Sequence, residues 1–254
     1  MITPTSDRSE LEDSVFSMYR SLAIGRNDVC QRCRLSQGEV EVWGPISIYH
    51  VGNRFGDDGQ RILFAGKTAR AAIGEDEEDE VDDTTSWSEG AIRGKGTGAG
   101  ARRWPYWTYT RAIIEELYGS LDDGWEKVAL TNLLKCNLGS RTDTSSPTMK
   151  NCCLRDLGVF RREMQIIQPR NIVLYAGRAY DDYLGDLFPE GWRSVRETNR
   201  DTTRPCGRKD LPWLEAEVLR DGVLASRVLR TGHPERMNKA EFVRMVVEWL
   251  RQSC

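Results

Sequence analysis

The run Val128-Ala-Leu-Thr-Asn-Leu-Leu-Lys-Cys136 limits what this chain can fold into more than any other stretch. It reads as a short aliphatic strand that runs into a polar tip, Thr131-Asn132, and then a cysteine. A strand this apolar must be covered on both faces, as in a parallel sheet flanked by helices. Arg61-Ile-Leu-Phe-Ala65 and Asn171-Ile-Val-Leu-Tyr-Ala-Gly177 have the same character.

Helical patterns alternate with these strands. Leu11, Val15, Met18, Tyr19 and Leu22 recur at spacings of three and four, which predicts an amphipathic helix over 9–25. Pro105 opens a helix that runs through Tyr118 and stops at Gly119. Further helices are expected at about 153–167, over Arg178 to Leu187, and at about 238–252, the last with Phe242, Val243, Val246, Val247 and Leu250 on one face. Residues 38–60 look irregular or hairpin-like, 190–212 look like loop, and 214–231 supply a strand or hairpin. The alternation implies an α/β fold: one domain over 1–254, with a mostly parallel sheet between helical layers.

Composition narrows the setting. Residues 75–83 hold eight acidic groups, and without them the net charge of −3 becomes +5. The remainder is mildly basic and rich in arginine, which permits nucleic-acid contact without requiring it. The acidic run and the glycine-rich segment Gly90 to Gly100 read as a flexible insertion spanning about 74–103. No apolar run reaches the length of a membrane span, and the N-terminal residues lack a secretory layout, so a cytoplasmic protein is expected. Seven cysteines in such a chain point to metal ligation or buried thiols, not to a disulfide framework.

In doubly wound sheets the ligand sits at the carboxyl ends of the strands. Those ends carry Gly66-Lys67-Thr68, Thr131-Asn132, Gly177-Arg178 and Gly232-His233-Pro234. Gly66-Lys67-Thr68 is not a phosphate loop, because the position five residues before Gly66 is Arg61 and not glycine. Cys30-x-x-Cys33 has metal-ligand spacing, and with Cys136 and either Cys152 or Cys153 it makes a four-thiolate set. Such a set suits zinc or an iron–sulfur cluster. Trp104-Pro-Tyr-Trp107 places aromatic faces at a helix start, where they could stack on an extruded base or anchor a core.

Taken together, these segments resemble the iron–sulfur branch of the uracil-DNA glycosylase superfamily, its families 4 and 5. The resemblance rests on Cys30-Gln-Arg-Cys-Arg-Leu35, Thr131-Asn-Leu-Leu-Lys-Cys136, and Cys152 lying 16 residues beyond Cys136. It extends through Gln168-Pro-Arg-Asn-Ile-Val-Leu-Tyr-Ala-Gly177 and His233-Pro234. It implies a three-layer α/β/α fold around a four-stranded parallel sheet, a structural [4Fe-4S] cluster (structural zinc being the alternative), and excision of a flipped base from DNA by a monomer. By the same resemblance Tyr106 stacks on the base, Asn132 reads its edge and His233 stabilises it as it leaves. Gly66 and Thr68 line the base pocket, Glu235, Arg236 and Met237 wedge into the duplex, and Arg70 and Arg178 contact DNA.

One segment departs from that pattern. Where the family carries Gly-Glu-Ala-Pro-Gly, this chain has Gly66-Lys67-Thr68-Ala69-Arg70, so a lysine replaces the acidic residue. Lys67 then becomes a candidate catalytic group, including as an amine that attacks the abasic sugar. The expected substrate shifts from uracil to a bulkier base, such as a hypermodified phage pyrimidine in antiviral defence. Plain uracil excision in DNA repair and a catalytically inactive DNA-binding relative remain the alternatives.

Overall fold

The computed structural model describes residues 9–45, 50–68, 85–93, 103–138, 145–192, 194–235 and 237–252. The chain opens with helix α1 (Glu10–Ser21), whose N-cap Ser9 accepts from the Glu12 amide and whose buried face carries Val15, Phe16 and Tyr19. Helix α2 (Asp28–Leu35) is capped by Asn27 through the Cys30 amide. Two short strands, β1 (Val42–Trp43) and β2 (His50–Val51), precede β3 (Ile62–Thr68). Helices α3 (Thr85–Arg93), α4 (Pro105–Tyr118) and α5 (Leu121–Trp125) lead to β4 (Val128–Leu134). Pro105 occupies the first turn of α4, and Gly119 ends it at φ 71°, a left-handed conformation that glycine adopts without a steric penalty.

Beyond β4 come β5 (Asn137–Leu138), the short helix α6 (Pro147–Lys150) and a π-helical turn, Asn151–Asp156. Helix α7 (Val159–Ile167), strand β6 (Asn171–Leu174) and a 3-10 segment (Arg178–Leu187) follow. The chain closes with β7 (Ser194–Cys206), β8 (Lys209–Arg220), β9 (Val223–Thr231) and α8 (Lys239–Arg251).

The principal sheet has the order β2-β4-β3-β6-β9-β8-β7. Its four consecutive strands β4, β3, β6 and β9 run parallel, while β2, β8 and β7 add antiparallel edges. The sheet therefore has seven strands where four were expected. Every residue of β4 is buried, and alternation sends its side chains into two cores. Ala129 and Leu133 join α1, α7 and the 3-10 segment on one face; Val128 and Leu130 join α4 and α8 on the other. Each fully buried leucine or valine here contributes about 1.5–3 kcal/mol.

Several local expectations are corrected. Residues 190–212 are not loop: β7 and most of the β7–β8 hairpin lie there. Gly66, Lys67 and Thr68 are the last residues of β3 and do not lie beyond it. The helix expected at 153–167 is split by Gly158, at φ 57°, into the π-helical turn and α7. Within the 74–103 insertion, 85–93 form α3, with Ser88, Ala91 and Ile92 fully buried, so that part is packed structure; most of the remainder lies outside the described residues. Among the described residues no helix is long and apolar enough to cross a membrane.

Candidate functional site

Parallel pairing places the carboxyl ends of β3, β4, β6 and β9 along one edge. Gly66 pairs with Asn132 across β3 and β4. A β-carbon at Gly66 would collide with Asn132 Oδ1 and stand 3.3 Å from the Tyr106 ring. The absence of a side chain at 66 is what lets the amide and the aromatic ring meet over the strand. Tyr106, at the start of α4, points its hydroxyl into the sheet, 3.3 Å from Phe64 O and 3.4 Å from Thr131 O. Its ring packs edge-on against Trp107 and Tyr175. Gly66, Tyr106 and Asn132 thus form one buried corner.

The end of β9 lies two strands away from β3. Gly177 N donates to Thr231 O at 2.9 Å, tying the end of β6 to that of β9. His233 follows, half-buried, and its Nδ1 accepts from the Glu235 amide at 3.3 Å. That bond assigns the proton of the neutral ring to Nε2 and leaves Nε2 as a donor. Met237 packs beneath, where Tyr109 donates to its carbonyl at 2.7 Å. Arg178 and Glu235 are exposed. Arg70 and Arg236 lie outside the described residues.

Lys67 and Thr68 behave differently from Gly66. Strand alternation turns Lys67 to the face opposite Asn132, near Lys150. Burial and the charge of Lys67 together lower the Lys150 pKa. Thr68 is buried with its hydroxyl 3.4 Å from Asn137 Oδ1.

On that opposite face lies a second constellation. Cys30, Cys33, Cys136, Cys152 and Cys153 all line a cavity of about 40 Å³, with Ile24, Leu134, Met149 and Val159 as apolar walls. The i,i+3 spacing on α2 puts Cys30 and Cys33 on one helix face. Both consecutive cysteines of the π-helical turn reach the same space, Cys152 bonding to Cys33. Gly25 N donates to Cys30 Sγ at 3.2 Å, and the Lys135 main chain bonds to the Cys153 thiol. Burial raises the pKa of Cys30 and Cys136 and pushes Cys33 and Cys153 up to about 12. These thiols are therefore protonated in the absence of metal, and ligation would release their protons. Among the described residues, no three of His, Cys, Asp and Glu are set as a site for a metal ion. The all-thiol donor set and the N–H···S bond at Cys30 nevertheless suit an iron–sulfur cluster.

Sequence reasoning missed what lies between the two constellations. Lys135 is 1% exposed, and its Nζ donates to Thr131 Oγ1 (2.8 Å) and Asn132 O (2.9 Å). It pairs with the fully buried Glu163 at 2.5 Å, and Glu163 also accepts from Tyr19 and Thr131. A signal was present: Phe160, Glu163, Met164 and Ile167 share helical spacing, so the glutamate sits on an apolar face and needs a buried partner.

Compared with known proteins, the chain matches no family model and no curated protein significantly.

Proposed function

We propose that this protein is a monomeric DNA glycosylase of the kind its motifs resemble, flipping a base from DNA and hydrolysing the N-glycosidic bond. The observation that supports this most is the double role of one strand. Asn132 of β4 meets Gly66 and Tyr106 on one face, and Cys136, just past the strand, enters the sulfur-lined cavity on the other. Cys30, Cys33 and Cys136, with Cys152 or Cys153, would hold a [4Fe-4S] cluster that fixes α2 and the π-helical turn to the sheet.

Cleavage of a glycosidic bond builds positive charge on the sugar and negative charge on the departing base. A preorganised donor near a base oxygen lowers that barrier. His233, with its proton on Nε2, supplies such a donor, and the Asn132 amide reads the base edge. Lys67 in place of the family's acidic residue argues for a modified pyrimidine over uracil. The same lysine favours a second reading, a DNA-binding protein without activity.

The deciding experiment incubates the iron-loaded protein with DNA containing uracil or hypermodified pyrimidines and counts alkali-labile abasic sites. Excision should fall about 100-fold or more in His233→Ala and in Asn132→Ala. No abasic sites on any of these substrates, with DNA still bound, would leave the second reading. A colourless, zinc-containing preparation would exclude the cluster.

A further inference from the structure

At the opposite edge of the sheet, where the parallel strands begin, an open bowl of about 330 Å³ is lined by three arginines. Arg61 precedes β3, Arg170 precedes β6 and Arg220 ends β8, so three separate chain segments bring arginines to one concavity. Among the lining residues there is no carboxylate, while Trp192 and Leu224 add an apolar wall. We propose that this bowl binds a small phosphate-bearing molecule of about the size of a nucleoside monophosphate.

Three observations carry the proposal. The first is the donor set. Arginines drawn from three chain segments suit a tetrahedral phosphate, which offers oxygens at several angles; a planar carboxylate offers two in one plane. The volume falls at the lower end of the range for ligand pockets, about 300–1,000 Å³.

The second is that Arg61 is fixed in advance. Its Nε donates to Gln168 O at 2.8 Å, its Nη2 donates to Ile167 O, and its guanidinium lies 5.0 Å over the Phe55 ring. Gly56 leaves the space it needs, since a β-carbon there would stand 2.9 Å from Arg61 Cγ. Burial and the like charge of Arg170 lower the Arg61 pKa, which shows two cations held close together. A bound dianion would relieve that repulsion.

The third is backbone strain. Four non-glycine residues among those described have left-handed backbone: Ala23, Arg61, Gln168 and Asp221. Gln168 caps the end of α7 and Asp221 turns the β8–β9 hairpin, ordinary places for this conformation, which leaves Arg61 on the wall of the bowl as the strained residue. Strain of this kind concentrates where a chain clamps a ligand.

Isothermal titration calorimetry with AMP, inorganic phosphate and adenosine tests the site. AMP and phosphate should bind and adenosine should not. The double variant Arg170→Glu with Arg220→Glu should weaken AMP binding by about tenfold or more, while Arg208→Glu, in the β7–β8 turn, should bind as the parent does. Should the double variant fail to fold by circular dichroism, the exposed single substitution Arg220→Gln takes its place and should still weaken binding measurably. A short DNA oligonucleotide that displaces AMP would assign the phosphate to a nucleic-acid backbone, and failure to displace it would assign a free nucleotide. No binding of phosphate or AMP at millimolar concentration, or unchanged affinity after charge reversal, would overturn the proposal.

Discussion

Asn132 takes its position from both faces of the sheet. Its amide lies over Gly66 on one face, while its main-chain oxygen accepts from Lys135 Nζ at 2.9 Å on the other. That ammonium is in turn held by Thr131 and Glu163, and neither charge reaches solvent. Removing one member of such a pair leaves the other uncompensated, at a cost of about 3–5 kcal/mol, whereas replacing both with apolar groups of similar volume is often close to neutral. Lys135→Met should therefore lower the unfolding free energy in urea by about 3–5 kcal/mol, and Lys135→Met with Glu163→Leu should recover most of that. A double variant no more stable than the single would mean that Tyr19 and Thr131 need Glu163 as much as Lys135 does.

At the level of elements, the π-helical turn offers both of its cysteines to one cavity, but a four-thiolate cluster takes only one of them. Cys152 bonds to Cys33 of α2, and the main chain of Lys135 in the β4–β5 connection bonds to Cys153. Hydrogen bonds from main-chain amides to ligating sulfurs are a feature of iron–sulfur sites, so Cys153 is the expected ligand. Cys153→Ala should reduce iron per chain and the charge-transfer absorbance, as Cys30→Ala, Cys33→Ala and Cys136→Ala should, whereas Cys152→Ala should retain both. Retention in Cys153→Ala and loss in Cys152→Ala would reverse the assignment. Why two cysteines were legible as alternatives while the choice between them was not is physical. Spacing along the chain locates a turn, but only the helical winding decides which side chain faces in. The same limit hid the β7–β8 hairpin, since Pro205, Gly207 and Pro212 read as turn residues; Pro205 lies on the edge strand β7, and Pro212 on β8 precedes the first β8–β9 pair, where a missing N–H costs no ladder bond to β9. The strands buried on both faces were legible because continuous apolar runs leave few other solutions. Lys135 and Glu163 were not, because their partnership spans 28 positions and depends on how the chain just past β4 meets α7.

Across the whole molecule the sheet separates two edges, with the Asn132 corner and the sulfur cavity toward the strand ends and the arginine bowl at their beginnings. The antiparallel strand β2 closes one side, and His50 on it ties the fold to pH. His50 is buried, stacked on Trp125 with ring centroids 3.7 Å apart, and its Nε2 donates to Trp125 O at 2.8 Å. Burial, more than the nearby charge of Arg93, lowers its pKa from 6.5 to about 3, against the opposing effect of the Trp125 carbonyl. Between those values the unfolded chain binds a proton at this position that the folded chain refuses, so stability rises with pH across the window and is lost as pH falls through it. The loss attributable to His50 between pH 7 and pH 5 should be about 2 kcal/mol. His50→Gln keeps an N–H donor for Trp125 O but does not titrate, so its unfolding free energy in urea should fall by about 2 kcal/mol less than the parent's over that range. The two proteins differ at position 50 alone, which isolates the difference to His50. Parallel stability curves for the two would mean that the ring accepts its proton within the fold, by opening the β2 edge to water.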